Sequence, residues 1–212
     1  MTTSRKIEPA PDTDRQRELT RHQSGIRSCT ACVDAGCIQR AMPIFQGHAG
    51  HRVMIVGQAP AYRTVETPPY SGASGKKLQV WLEQAGFPPG SLYERFYLTS
   101  LTKCFPGTGK NGNGDRPPSA AEVALCAPHF AGELRLVQPE LIITLGRMAA
   151  ARFLGNRRLI DMVGQEFQLD GVTVVPLPHP SGVSRWLNDA AHQRLVARAI
   201  ETISCIRVDR NL

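Results

Sequence analysis

Four of the six cysteines, Cys29, Cys32, Cys104 and Cys126, are spaced as a metal-binding set. The first two form C-x2-C in Cys29-Thr30-Ala31-Cys32. The others are distant singles, one closing Thr99-Ser100-Leu101-Thr102-Lys103-Cys104 and one ending the helix-like run Glu122-Val123-Ala124-Leu125-Cys126. Only a folded domain brings such residues together, and four converging thiolates suit an iron–sulfur cluster or tetrahedral zinc. Cys37 lies near the first pair and is the alternative to Cys32 as a ligand, while Cys205 reads as a core thiol of a C-terminal helix.

A second group has the residue types of a polar reaction site. His179 sits in Pro178-His179-Pro180-Ser181, where the prolines stiffen the loop and fix the direction of the imidazole. Gln58, in Gly57-Gln58-Ala59-Pro60-Ala61, cannot take a proton as a general base but can orient water by hydrogen bonding. Ser100 adds a hydroxyl, and Tyr70 offers a flat ring in Pro69-Tyr70-Ser71-Gly72-Ala73-Ser74-Gly75.

These residues need strands to hold them. The runs 52–57, 96–101 and 141–145 are apolar enough for buried strands, and the first and third end at Gly57 and Gly146. Segments 166–169 and 172–177 flank Asp170-Gly171, a hairpin turn signal. Helices are expected from Gly75 to about Ala85 behind a Ser74 cap and from Ser119 to about Val137 with Glu122 completing a capping box. Two more are expected, from Arg147 to about Leu154 and from Asn188 or Asp189 to about Ile206. Residues 107–118, rich in Gly, Asn and Pro, read as a mobile surface loop. Strands alternating with helices imply an α/β layered domain with a mainly parallel sheet, and ligands bind at the carboxyl ends of such strands. Gln58, Ser100 and His179 all fall there.

The chain has 212 residues, enough for one domain with a full core. Residues 1–25 read as a flexible or loosely docked arm and 26–212 as a single domain. No run is long or apolar enough to span a membrane, and the polar N-terminus has no secretory h-region, so the expected location is the cytosol. Structural disulfides are rare there, which turns the cysteines toward metal binding. A net charge of +7 favours a polyanionic partner such as nucleic acid.

The motifs Gly57-Gln58-Ala59-Pro60-Ala61, Pro69-Tyr70-Ser71-Gly72-Ala73-Ser74-Gly75, Thr99-Ser100-Leu101-Thr102-Lys103-Cys104 and His179-Pro180-Ser181 form an ordered series. The series resembles the uracil-DNA glycosylase superfamily. The cysteine layout resembles its family 4 branch, which carries a [4Fe–4S] cluster, while Gly-x-Ala-Pro-Ala is similar to the family 5 branch.

The resemblance implies a three-layer α/β/α sandwich around a four-stranded, mainly parallel sheet. It implies a monomeric, monofunctional DNA glycosylase acting on uracil or another deaminated base flipped out of DNA. A non-catalytic lesion- or DNA-binding iron–sulfur module of the same fold is the alternative. The implied catalytic residues are His179, donating to the base carbonyl, and Gln58, orienting water. Gln58 and Ala59 backbone N–H groups would bind the base, Tyr70 would stack on it and Ser100 would line its pocket. Gly72, Gly75, Lys76, Ser181, Val183 and Arg185 would meet DNA, with Trp186 either a wedge or core. The cluster ligands would be Cys29, Cys32, Cys104 and Cys126, with zinc the less favoured metal.

Two positions depart from the family pattern. Many family 4 enzymes carry an acidic residue at the place of Gln58, and Glu66 is the nearest acid in sequence. The usual residue at Ser100 is asparagine, which pairs with the uracil edge through both a donor and an acceptor. A serine hydroxyl brings hypoxanthine and xanthine into consideration. No basic, histidine-bearing insertion follows Gly75, which argues against the branch that crosslinks to the sugar.

Overall fold

The computed structural model describes residues 13–62, 67–109, 114–181 and 185–212. Its centre is a sheet of β1 (Val53–Gly57), β2 (Phe96–Ser100), β3 (Leu141–Leu145), β4 (Phe167–Leu169) and β5 (Val172–Leu177) in the order β2-β1-β3-β5-β4. Four strands run parallel, as expected. The fifth, β4, pairs antiparallel with β5 and extends the edge, so the sheet has five strands and not four. The connecting turn places Asp170 and Gly171 at φ 49° and 84°, the left-handed pair that such a hairpin needs.

Side chains alternate between the two faces of each strand. On one face Val53 and Ile55 of β1 pack with Leu78, Trp81 and Leu82 of α3 (Ala73–Gln84) and with Val196, Ala199, Ile200 and Ile203 of α7 (Ala190–Arg210). On the other, Met54 and Val56 meet Phe130, Leu136 and Val137 of α5 (Ala120–Val137) and Ala149 of α6 (Arg147–Leu154). Two covered faces explain why every residue of β1, β2 and β3 is buried, and they make the three-layer sandwich.

Ser119 and Glu122 form the expected capping box: Ser119 Oγ accepts from the Glu122 N–H at 3.2 Å, and the Glu122 carboxylate accepts from the Ser119 N–H at 2.7 Å. Asp189 caps α7, accepting from the Ala191 N–H. The start of α3 differs from expectation, because Gly72 and not Ser74 is its N-cap.

The arm expected over residues 1–25 is helical from Thr13 onward. The helix α1 (Thr13–Arg27) lies against α5, with Leu19 and Ile26, seven residues apart on one face, fully buried. Polar bonds complete the docking: His22 Nε2 contacts the His129 carbonyl at 2.8 Å, and Gln23 donates to the Gly47 carbonyl and to Tyr97 Oη. Two short helices, α2 (Ala31–Asp34) and α4 (Leu92–Arg95), precede β1 and β2 in the chain. Cys205, expected in the core, is exposed, because it lies between the buried Ile203 and Ile206 on the outward side of α7. No helix among the described residues is long and apolar enough to cross a membrane.

Candidate active site

The parallel register sets Gly57 beside Ser100 and Leu145 beside Leu177, so the carboxyl ends of β1, β2, β3 and β5 open on one side. A cleft of about 530 Å³ lies there, lined by Gln58, Tyr70, Ser100 and His179 among others. That volume suits a small ligand or a single nucleotide. The four motif segments of the sequence therefore meet at one place.

The turn after β1 is fixed by its carbonyls. Leu101 N–H donates to the Gly57 carbonyl at 3.0 Å and Thr102 N–H to the Gln58 carbonyl at 3.2 Å. No cis peptide is present among the described residues. In a trans peptide the N–H points opposite to the C=O. The N–H groups of Gln58 and Ala59 therefore point away from the segment after β2, and both residues line the cleft.

His179 follows β5 and is half-buried. Gly146, at φ 88°, turns the chain off β3 so closely that an added Cβ would stand 3.5 Å from His179 Cβ. Ser181 N–H donates to His179 Nδ1 at 3.2 Å. An accepting Nδ1 leaves the proton of the neutral ring on Nε2, which is then a donor. Burial lowers the His179 pKa below the usual imidazole value, and the Asp115 carboxylate opposes it. The neutral, Nε2-protonated ring is thus the favoured form.

Tyr70 carries the strain of the site. Its φ is 57°, a left-handed conformation that costs a tyrosine on the order of 1–2 kcal/mol. Gly75 explains how it is held. A Cβ there would lie 1.5 Å from the Tyr70 carbonyl oxygen, so the first turn of α3 packs directly on this backbone. Gly75 is buried, makes this internal contact and also lines the cleft. The Tyr70 hydroxyl is buried with no hydrogen-bond partner among the described residues, and burial raises its pKa. A Cβ on Gly57 would stand 2.8 Å from this hydroxyl and 3.2 Å from Ser100 Oγ. Gly57, lacking a side chain, therefore leaves room for both hydroxyls, the Tyr70 one enclosed and Ser100 lining the cleft.

Beneath the floor lies a buried charge network. Lys103 Nζ donates to Glu133 Oε2, Thr99 Oγ1 and the Ser100 carbonyl, each at 2.6 Å. Glu133 also accepts from Tyr97 Oη at 3.2 Å and Thr99 Oγ1 at 2.9 Å. The network pins the end of β2, and with it Ser100, to α5.

Of the other predicted residues, Gly72 and Ser181 line the cleft, and Lys76 is exposed in the first turn of α3. Val183, the Arg185 side chain and Glu66 lie outside the described residues. Trp186 stacks on His192 with ring centroids 4.1 Å apart and packs against the core, as Leu187 does. The sequence reading missed Asp115 and Arg116, which reach the cleft from the loop before α5. The available signal was their place in Asp115-Arg116-Pro117-Pro118, immediately before the Ser119 cap.

Cys29, Cys32, Cys104 and Cys126 line a second, smaller pocket, and Cys37 is not among its lining residues. Burial raises the Cys32 and Cys104 pKa values to about 11, and the surrounding cysteines push the same way. Soft sulfur donors that hinder one another's ionisation gain from a bound cationic centre, so the set fits a thiolate-held metal group. Among the described residues, no three His, Cys, Asp or Glu side chains stand together as a group for a single metal ion. Lys103 N–H contacts Cys126 Sγ at 3.3 Å, so this pocket shares a residue with the network under the cleft.

Comparison with known proteins agrees with this layout. Residues 44–202 match the family model described as the uracil DNA glycosylase superfamily. The chain is 30% identical to the Type-4 uracil-DNA glycosylase of Pyrobaculum aerophilum, over 76% of this chain and 81% of that protein. It is 25% identical to the Type-4 uracil-DNA glycosylase of Thermotoga maritima, over 76% and 80% respectively. It is also 28% identical to the Type-5 uracil-DNA glycosylase of Pyrobaculum aerophilum, over 63% of this chain and 56% of that one. With the strand-end motifs gathered on one cleft and the match spanning most of the sheet and its helices, the chain belongs to the uracil DNA glycosylase superfamily.

Proposed function

We propose that the chain is a monofunctional DNA glycosylase of base excision repair, hydrolysing the N-glycosidic bond of uracil or another deaminated base flipped out of DNA. Superfamily membership and relatives named uracil-DNA glycosylases support the reading. They also weigh against a module that only binds lesions. The observation that carries it is the His179 tautomer: a neutral ring with Nδ1 engaged by Ser181 offers a donor at Nε2.

As the bond breaks, the sugar becomes cation-like and the base leaves as an anion. A neutral donor at His179 Nε2 stabilises charge developing on a base carbonyl oxygen without first giving up a proton. The Gln58 and Ala59 N–H groups are the complementary donors. Fixed donors of this kind are worth roughly 2.7–4 kcal/mol each to the transition state. The partly exposed Tyr70 ring stacks on the base, and the Ser100 hydroxyl contacts it from the floor. Gln58 orients water. Lys76 and Ser181 meet the DNA backbone, favoured by the +7 charge.

Cys29, Cys32, Cys104 and Cys126 would hold a [4Fe–4S] cluster. In such a cluster each thiolate takes a different iron, so the ligands need not meet at one point. When bound it braces the chain's start against the segment after β2 and α5. The reading includes a monomer acting in the cytoplasm.

The test is single-turnover base release by the purified protein from duplex and single-stranded oligonucleotides carrying uracil, hypoxanthine or xanthine. Release of at least one of them is expected. Release of none, with the protein folded, defeats the proposal.

A further inference from the structure

The turn after β1 holds Gln58, whose amide lines the cleft but cannot take a proton from water. Asp115 supplies a carboxylate. Among the described residues it is the one acidic side chain lining the cleft, and it lies near enough to His179 for its charge to favour the imidazolium form.

The loop around Asp115 is clamped on both sides. Asp115 forms an antiparallel bridge with Thr108, and Gly109 N–H donates to the Gly114 carbonyl at 2.9 Å. Arg116 N–H donates to the Gly107 carbonyl at 2.9 Å. The Arg116 guanidinium grips the Glu122 carboxylate through two 2.7 Å bonds and also donates to the Cys37 carbonyl. Glu122 is in turn fixed by the capping box of α5. Asp115 is thus an exposed carboxylate on a backbone tied to the core, and not a freely swinging one.

For binding alone, a carboxylate in this place is unfavourable, since it repels phosphate. For the chemistry it has the sign required. His179 serves the negative charge that develops on the base, and a carboxylate lining the same cleft favours the cation-like sugar and draws the proton from attacking water.

We infer that Asp115 is the water-activating catalytic residue of this chain, an assignment that rests on the glycosylase reading above. The bond from C1′ to the base nitrogen breaks with its electron pair leaving on the base. Water oxygen bonds to C1′, and its proton passes to the Asp115 carboxylate and then to solvent. The base anion, held by His179 Nε2–H, takes a proton from solvent on release. The products are free base and an abasic deoxyribose.

The test is single-turnover base release by wild type, Asp115→Asn and Asp115→Asn/Gln58→Glu, on the base that wild type releases fastest. Affinity for a duplex holding a non-hydrolysable analogue of that nucleotide and thermal unfolding are measured alongside. Asp115→Asn is expected to lower the chemical rate on the order of 100-fold, with lesion affinity unchanged or tighter. Adding Gln58→Glu, which restores a carboxylate beside the same cleft, is expected to recover about tenfold or more of that loss. Asp115→Asn with the wild-type rate overturns the proposal, and so does a rate loss matched by lost lesion affinity or left unrescued by Gln58→Glu. A wild type that releases no base removes the glycosylase reading as well, whereas an active wild type with an equally active Asp115→Asn removes this assignment alone.

Discussion

Replacing Glu133 by leucine should cost more stability than any surface change, and the structure says why. Lys103 and Glu133 have side chains only 2% and 0% exposed, with Nζ 2.6 Å from Oε2. All three ammonium donors are used, by Glu133, Thr99 Oγ1 and the Ser100 carbonyl. Glu133→Leu leaves a buried ammonium with two neutral acceptors and no counter-charge. Breaking such a pair from one side costs about 3–5 kcal/mol. For a chain of this length 1 kcal/mol corresponds to roughly 2–4 °C, so the midpoint should fall by about 6–20 °C. The double variant Lys103→Met/Glu133→Leu removes both charges, and most of the loss should return, because a buried pair and an apolar replacement are of similar stability. Urea unfolding of wild type, both single variants and the double variant gives the coupling directly. Iron content on the same samples separates network loss from cluster loss, since Cys104 adjoins Lys103. Additive costs, or a Glu133→Leu loss under about 1 kcal/mol, would refute the reasoning.

Three further outcomes follow from the site and the core. Ser100→Asn restores an amide reader at the cleft floor and should raise preference for uracil over hypoxanthine by about tenfold or more, measured as a ratio of single-turnover rates; an unchanged ratio means that Ser100 does not touch the base. The purified protein should contain iron and inorganic sulfide, and Cys126→Ser should lower both together with the unfolding midpoint; zinc without iron contradicts the cluster assignment. Burial, and then the neighbouring His48, lowers the His51 pKa to about 4. The unfolded chain, with an ordinary histidine, therefore binds the proton first as pH falls. Stability that is complete above about pH 6.5 should decline by up to about 3 kcal/mol as the pH drops to about 4, and His51→Gln should flatten part of that slope.

Much of this was legible in the sequence because it rests on local rules. The runs Val53–Gly57 and Leu141–Leu145 declared themselves by apolar character, interrupted only by Thr144, as a strand covered on both faces requires. Ser119 and Glu122 signalled the start of α5, and Asp170-Gly171 the hairpin. The hidden features depend on distant partners. The helix α1 carries two fully buried apolar residues and docks partly through His22 and Gln23, so it resembles a solvated segment. Gly75 looked like a point of approach for DNA, and only the fold shows Tyr70 on top of it. Asp115 stands in a Gly- and Asn-rich loop, and nothing local says that Arg116 will be held by Glu122. The outward side of α7 at Cys205 is likewise set by which stripe of the helix meets the sheet.

The central claim is that His179 donates to the leaving base from a neutral, Nε2-protonated ring. The most direct measurement is the single-turnover rate of uracil release by wild type and His179→Ala, with lesion binding and unfolding measured on both. A rate lower by roughly 100- to 1000-fold is expected in His179→Ala with the fold retained. Equal rates in the two proteins would contradict the claim.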